Sequence, residues 1–373
     1  MTRPVAHIVL ALIGVLASSS VGATDIRVGF ANPLSGPYAE SGQRNRAVAE
    51  LAVADLNARG GVLGQPVVLV AADDACSTEQ AAVAAQQLVD TGVGFVVGHM
   101  CSHASLIAAG VYEAAGILML SADSTHPRLT EECRRNVFRL IGRDDRQGRM
   151  AGDFLVDRWP GRRIAIVHDG STYGQGLAAQ TRFRLRERGV VEALYAYFEP
   201  GLDDPSELAD RLRAAGIDVL YVGGYGPDVA RIVRAVRQRG SRLQLVGGDG
   251  LGMREFWEVA GAAGEGAIFT DRRNVTAAPE AAAVLAEFRA LGFGALPSGI
   301  GTYAAIQVWA QAVTRAGTTE SSAVAKALHA GRFDTVLGRV AFDDKGDLDG
   351  ADWQWQVWRD GGYAPLPVTL ARR

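Results

Sequence analysis

Short apolar runs alternate with longer amphipathic or alanine-rich stretches along almost the whole chain, and this rhythm restricts the fold more than any other feature. Strand-like runs occupy 26–31, 67–71, 95–97, 117–120, 164–167, 219–222, 243–246 and 267–270. Helix-like stretches lie between them at 44–58, 78–91, 105–115, 147–159, 176–188, 206–215 and 227–239. A strand, a helix and a second strand in succession predict a parallel sheet covered by helices on both faces. The pattern restarts near Gly161, after Trp159-Pro160-Gly161-Arg162. Since 373 residues exceed what one hydrophobic core usually organises, the expected fold class is α/β, with two Rossmann-like, doubly wound lobes.

The first 23 residues stand apart. Arg3 and His7 give a basic start, 8–17 is an apolar core, and 18–23 is a small-residue tail with Val21 and Ala23 at the cleavage-site positions. We read 1–23 as a secretory signal peptide and expect export to the periplasm. Its apolar core is about half of the roughly twenty residues a membrane span needs. Thr24 rather than Cys follows, so a lipid anchor is not expected. The formal net charge of -3 carries no nucleic-acid footprint. Three cysteines in an exported chain suggest one disulfide and one leftover.

Five apolar runs end in small or polar residues just ahead of a helix: GHMCSH at 98–103, SADST at 121–125, HDGSTYGQG at 168–176, GGYGPD at 223–228 and GGDGLG at 247–252. Ligands of open α/β sheets bind beyond the carboxyl ends of the strands, so these loops are the candidate site. None is a dinucleotide fingerprint or a Walker motif, and no G-x-S-x-G elbow occurs, so no cofactor is expected. GHMCSH packs His99, Cys101 and His103 into six residues, which by composition alone suits a metal.

The ordered runs PLSGPYAESG (33–42), DLNARGGVLGQPV (55–67), DDACSTEQAAVAAQQLV (73–89), VVGHMCS (96–102) and NVFRLIGRDDRQG (136–148) resemble the periplasmic substrate-binding proteins of branched-chain amino acid ABC transporters. The similarity runs from Asp25 to about residue 355. It implies a Venus-flytrap architecture of two lobes joined by three hinge crossings and closing over one ligand. Lobe one would comprise 24–143 plus 274–352, and lobe two 144–273 plus 353–373. The implied function is capture of an amino acid or a similar solute and its delivery to an inner-membrane ABC permease, by a monomer that is not an enzyme.

The resemblance also pairs Cys76 with Cys101 in a disulfide, which would contribute roughly 3 to 4 kcal/mol by closing a loop of about 26 residues. Cys101 is then unable to hold a metal, and Cys133 is left as a partly buried free thiol. Ser102 and Thr125, with Ser124 beside it, match the family's carboxylate-binding positions. Their plain alternative is helix capping. Tyr173 and Tyr225 match tyrosines that close over the ligand from lobe two, the alternative being rim residues that only cover a loop. Asp249 stands where the family commonly has a glutamate for the ligand's ammonium group, the alternative being a turn residue between glycines. Ser41 and Ser298 replace aromatic residues of the side-chain pocket, which predicts a roomier or more polar site. Asp123 replaces a small apolar residue; we expect it to point outward and cap the next helix, whereas an inward orientation admits a ligand with an extra amine or amide.

Two other classes remain open at this level. A metal-dependent hydrolase would use His99, His103 and His126, and would need Cys101 free. A sensor of the same two-lobed fold would feed a membrane receptor instead of a permease.

Overall fold

The computed structural model describes residues 25–367 apart from 133, 202, 274–280, 291, 293–298 and 352. The signal segment, Cys133 and Ser298 therefore lie outside the described residues. Among the described residues no helix is long and apolar enough to cross a membrane.

The strands form two large sheets and one hairpin. The first sheet takes β1 (Ile26–Asn32), β2 (Val67–Asp73), β3 (Phe95–Gly98), β4 (Leu118–Ser121) and β5 (Val137–Arg139), all parallel, in the order β2-β1-β3-β4-β5. Between them run α1 (Ala39–Ala58), α2 (Thr78–Asp90), α3 (Ser102–Ala114) and α4 (Arg128–Glu131). The second sheet starts after α5 (Asp144–Arg158) with β6 (Ile164–His168), β7 (Leu194–Tyr197), β8 (Val219–Gly223), β9 (Gln244–Gly247) and β10 (Ile268–Arg272). The helices interleaved there are α6 (Thr172–Glu187), α7 (Ser206–Ala214), α8 (Gly226–Gln238) and α9 (Arg254–Ala260).

The chain then returns to the first sheet. Helices α10 (Ala281–Ala290), α11 (Ile300–Ala316) and α12 (Ser321–Ala330), with the hairpin β11 (Arg332–Thr335) and β12 (Gly338–Ala341), bury Phe288, Ile306, Trp309 and Phe333 in one core with Val28, Phe30 and Phe95. It crosses once more to add β13 (Trp353–Arg359) and β14 (Gly362–Pro365) antiparallel at the edge, completing the order β14-β13-β10-β9-β8-β6-β7.

The sequence reading did not include β5, β7 or the elements after 270. β5 spans three residues and β7 is half exposed, so neither carries a long apolar run. Helix α6 begins at Thr172, earlier than the pattern suggested, because the Ser171 hydroxyl accepts the Gly174 N–H at 2.9 Å and starts the helix ahead of its apolar stripe.

The carboxyl ends of both sheets meet. Tyr38, Cys101 and Ala104 from the first unit share a buried cluster with Tyr173, Leu177 and Tyr225 from the second.

Candidate functional site

A turn that only glycine permits sets the position of the 98–103 loop. Gly98 ends β3 at φ +136°, and a Cβ there would sit 2.1 Å from the carbonyl oxygen of Ala31. The chain then sends His99 inward and Ser102 into the first turn of α3.

His99 is fully buried, with Nδ1 2.6 Å from Asp74 Oδ2 and Nε2 3.0 Å from the Tyr112 hydroxyl. Its backbone carbonyl accepts hydroxyl bonds from Ser105, Ser121 and Ser124 at 3.1, 2.8 and 3.2 Å. His103 Nε2 lies 2.7 Å from the Cys76 carbonyl oxygen, and a disulfide joins Cys76 to Cys101 with Cα atoms 5.5 Å apart. Each of the three groups that suggested a metal thus has a structural partner. Among the described residues no group of three or more His, Cys, Asp or Glu side chains is placed to hold a metal. Burial and the neighbouring Arg128, Arg139 and Arg143 push the His126 imidazole down to about 4.

A cavity of about 90 Å³ lies between the two sheets, enough for roughly half a dozen waters or one small solute. It is lined by seven of the expected residues: Ser41, Ser102, Asp123, Thr125, Tyr173, Tyr225 and Asp249.

Ser124 is the exception. Its hydroxyl lies 3.0 Å from the Met100 carbonyl and 2.6 Å from Ser105 Oγ, so it ties two loops of the first sheet together instead of facing a ligand. The expectation for Asp123 is also corrected. It lines the cavity, 3.4 Å from Asn45 Nδ2 and 3.7 Å from the Arg272 guanidinium, while α4 begins five residues later without a side-chain cap.

Ser102 opens a thirteen-residue helix whose first-turn N–H groups have no partners within the helix. Its hydroxyl accepts the His126 N–H at 3.4 Å. The Thr125 hydroxyl is 1% exposed and without a hydrogen-bond partner of good geometry, with the Asp144 carboxyl near it. Buried hydroxyls rarely stay unsatisfied, and this one belongs to a cavity-lining residue with only the Asp144 carboxyl beside it. The loop that carries Thr125 is held from below by Arg139, fully buried, which bonds the Ser124 and His126 carbonyls at 3.2 and 3.0 Å and Asp347 at 2.6 Å.

Asp249 Oδ1 accepts from Gln147 Nε2 and from the Tyr173 hydroxyl, each at 2.9 Å. The same Tyr173 oxygen accepts the Gly250 N–H at 2.9 Å, so the tyrosine clamps the 248–252 turn to the start of α6. Burial raises the Asp249 carboxyl above its usual range, opposed by the bonds from Gln147 and Tyr173 and by Arg272. Burial likewise raises Asp123, which Arg272 offsets in part and Asp249 reinforces. Asp144, just beneath, is pushed well up by burial and by Asp249. Burial also drives the Tyr173 and Tyr225 phenols well above the tyrosine range, so both remain neutral donors.

Several site residues were not anticipated. Asp271 and Arg272 end β10 and line the cavity with Tyr363. Asp271 is pushed up to about 6, chiefly by burial, with Arg272 opposing and Asp249 reinforcing. In the sequence the β10 run ends in Asp271-Arg272-Arg273 instead of the glycine- and serine-rich residues that end the other five, so the signal that marked those loops was missing. Glu255 accepts the Ser41 N–H at 2.7 Å, the Ser41 hydroxyl at 2.9 Å and Arg44 at 3.0 Å, which latches α1 to α9 across the cleft. Ser41 serves that latch as well as the cavity wall. Nearby, the Tyr38 hydroxyl donates to Asp228 at 3.1 Å.

The profile of a family described as periplasmic binding protein matches residues 25–359. The leucine-, isoleucine-, valine-, threonine- and alanine-binding protein of Pseudomonas aeruginosa is 36% identical over 345 residues, 92% of each chain. Leu/Ile/Val-binding protein homolog 1 of Brucella melitensis is 37% identical over 358 residues, 95% of this chain and 96% of that one. Among solved structures, the leucine binding protein LivK of Thermotoga maritima superposes with a TM-score of 0.85 at 25% identity, covering 92% of this chain and 98% of its own. With the profile spanning nearly all the described residues and two strand-end faces closing on one cavity, this chain belongs to the periplasmic binding protein family.

Proposed function

We propose that this protein captures a free α-amino acid in the cavity between its lobes and delivers it to an inner-membrane ABC permease. The observation that carries this is the pairing of opposite addresses across one small cavity. On one side the start of α3 and the unpartnered Thr125 hydroxyl suit a carboxylate. On the other side Asp249 suits an ammonium group. Relatives whose names state amino acid binding support the reading.

The lobes are taken as 24–143 plus 274–352 and 144–273 plus 353–373, with hinges where the chain crosses between them. The ligand docks first on Ser102 and Thr125, and lobe two then brings Tyr173, Tyr225 and Asp249 over it. Closure is favoured because the ligand gains its lobe-two contacts only in the closed state. Excluding water strengthens the charge pairing. The closed shape, held by Glu255 on Ser41 and Arg44, is what the permease reads. Residues 1–23 direct the chain to the periplasm, where it acts as a monomer.

The test is calorimetric titration of protein unfolded and refolded to strip bound solute, against free L-amino acids and their N-acetyl and methyl-ester derivatives. Saturable one-to-one binding that disappears when either end is blocked supports the reading. Equal binding of blocked and free forms overturns it.

A further inference from the structure

The cavity holds more acid than a simple α-amino acid can answer. Three carboxylates line it, those of Asp123, Asp249 and Asp271, against the single guanidinium of Arg272. On the amino-acid reading, on which this inference rests, Asp249 takes the ligand's α-ammonium group. Arg272 stands 3.7 Å from Asp123 and donates its Nη2 to the Ala122 carbonyl at 2.8 Å. Asp271 receives only the Arg272 backbone N–H at 2.7 Å and a long 3.3 Å bond from the Tyr363 hydroxyl among the described residues. Each carboxylate oxygen has room for two donors, so Asp123 and Asp271 are both under-supplied.

A second observation points the same way. Asn45 is 3% exposed and lines the cavity, and its Nδ2 donates to Asn32 Oδ1 at 3.1 Å and faces Asp123. That orientation leaves Asn45 Oδ1 buried without a partner. Beyond the carboxylate end, this cavity leaves unanswered one donor, the buried Nη1 of Arg272, and a larger set of acceptors, two of them carboxyl groups. An aliphatic side chain placed here would strip water from those carboxylates and return nothing. A hydroxyl would supply a single uncharged donor. A protonated amine supplies three donors and a charge.

We propose that the ligand is an L-α-amino acid whose side chain ends in an ammonium group, received by Asp123, Asp271 and the side-chain oxygen of Asn45. The small cavity favours a short diamino acid.

The experiment titrates the stripped and refolded full protein with L-ornithine, with L-norvaline (ornithine without its side-chain amine), with L-leucine and with L-glutamine. Ornithine is expected to bind at least about 30-fold more tightly than norvaline, the range for a desolvated charge pair. In both D271N and D123N the ratio of ornithine to norvaline affinity should fall at least tenfold. The two variants are independent, so misfolding of one, read from its melting curve, leaves the other to decide. Norvaline or leucine matching ornithine overturns the ammonium assignment and leaves the amino-acid reading standing. Glutamine surpassing ornithine overturns it in favour of a neutral amide. An unchanged ratio in a folded variant overturns the residue assignment, and failure of all four compounds to bind overturns the amino-acid reading as well.

Discussion

At the scale of single residues, the two sides of the cavity make different demands. On the proposed reading Asp249 is the counter-charge to the ligand's ammonium group, and replacing it with alanine is expected to weaken amino acid binding by about 2 kcal/mol or more, roughly 30-fold. Calorimetry checks this, and unchanged affinity would remove Asp249 from the site. Asp271 gives a pH signature. Its carboxyl is held at about 6 in the fold against about 3.9 in an unfolded chain. The folded state therefore binds the proton more tightly, and this stabilising contribution is fully present below about pH 4 and is lost as pH rises through 6. The D271N variant should flatten the pH dependence of stability between 4 and 6 by about 2 to 3 kcal/mol, read from denaturant unfolding at each pH. An unaltered slope would place the raised carboxyl elsewhere.

The elements that carry these residues show how much of the site was legible in the sequence. Ser102, Thr125, Tyr173, Tyr225 and Asp249 all sit where an apolar run gives way to small residues and a helix, a local signal that the parallel-sheet rhythm makes readable. Glu255 carried no such signal, because its partner Ser41 is 214 residues away and the contact exists only when α9 meets α1. The inward orientation of Asp123 was hidden for a related reason: Arg272, the cation beside it, arrives from β10 of the other sheet. Ser124 looked like a second ligand hydroxyl, yet three-dimensional packing turns it to the Met100 carbonyl.

Two elements also yield predictions. The Cys76–Cys101 bond closes a 25-residue separation at the start of α3, so replacing both cysteines with serine should cost about 3 kcal/mol of stability in urea unfolding. Arg139 holds the Thr125 loop while paired with the buried Asp347. An R139A variant should lose about 3 kcal/mol in the same measurement, since it leaves the Ser124 and His126 carbonyls without their donor and Asp347 with only Arg143 and Thr130. A loss near zero would show that the pair does not support the loop.

At the scale of the whole molecule, two sheets of similar construction meet at their carboxyl ends and Glu255 bonds Ser41 and Arg44 across the cleft; on the proposed reading this latch sets how readily the lobes stay together. Apparent affinity is the intrinsic affinity multiplied by the fraction of competent conformer. An E255A variant should therefore show weaker apparent binding and a more expanded average shape in small-angle scattering without losing the Ser102, Thr125 and Asp249 contacts. Unchanged scattering and affinity would relegate the latch to surface decoration.

The claim on which all of this depends is that one amino acid is gripped from both lobes at once, and a crystal structure of the complex with the tightest-binding amino acid tests it most directly. The account predicts the ligand's carboxylate on Ser102 and Thr125 and its α-ammonium group on Asp249. A ligand lodged instead in the outer crevice lined by Glu79, Tyr197 and Glu199 would contradict it.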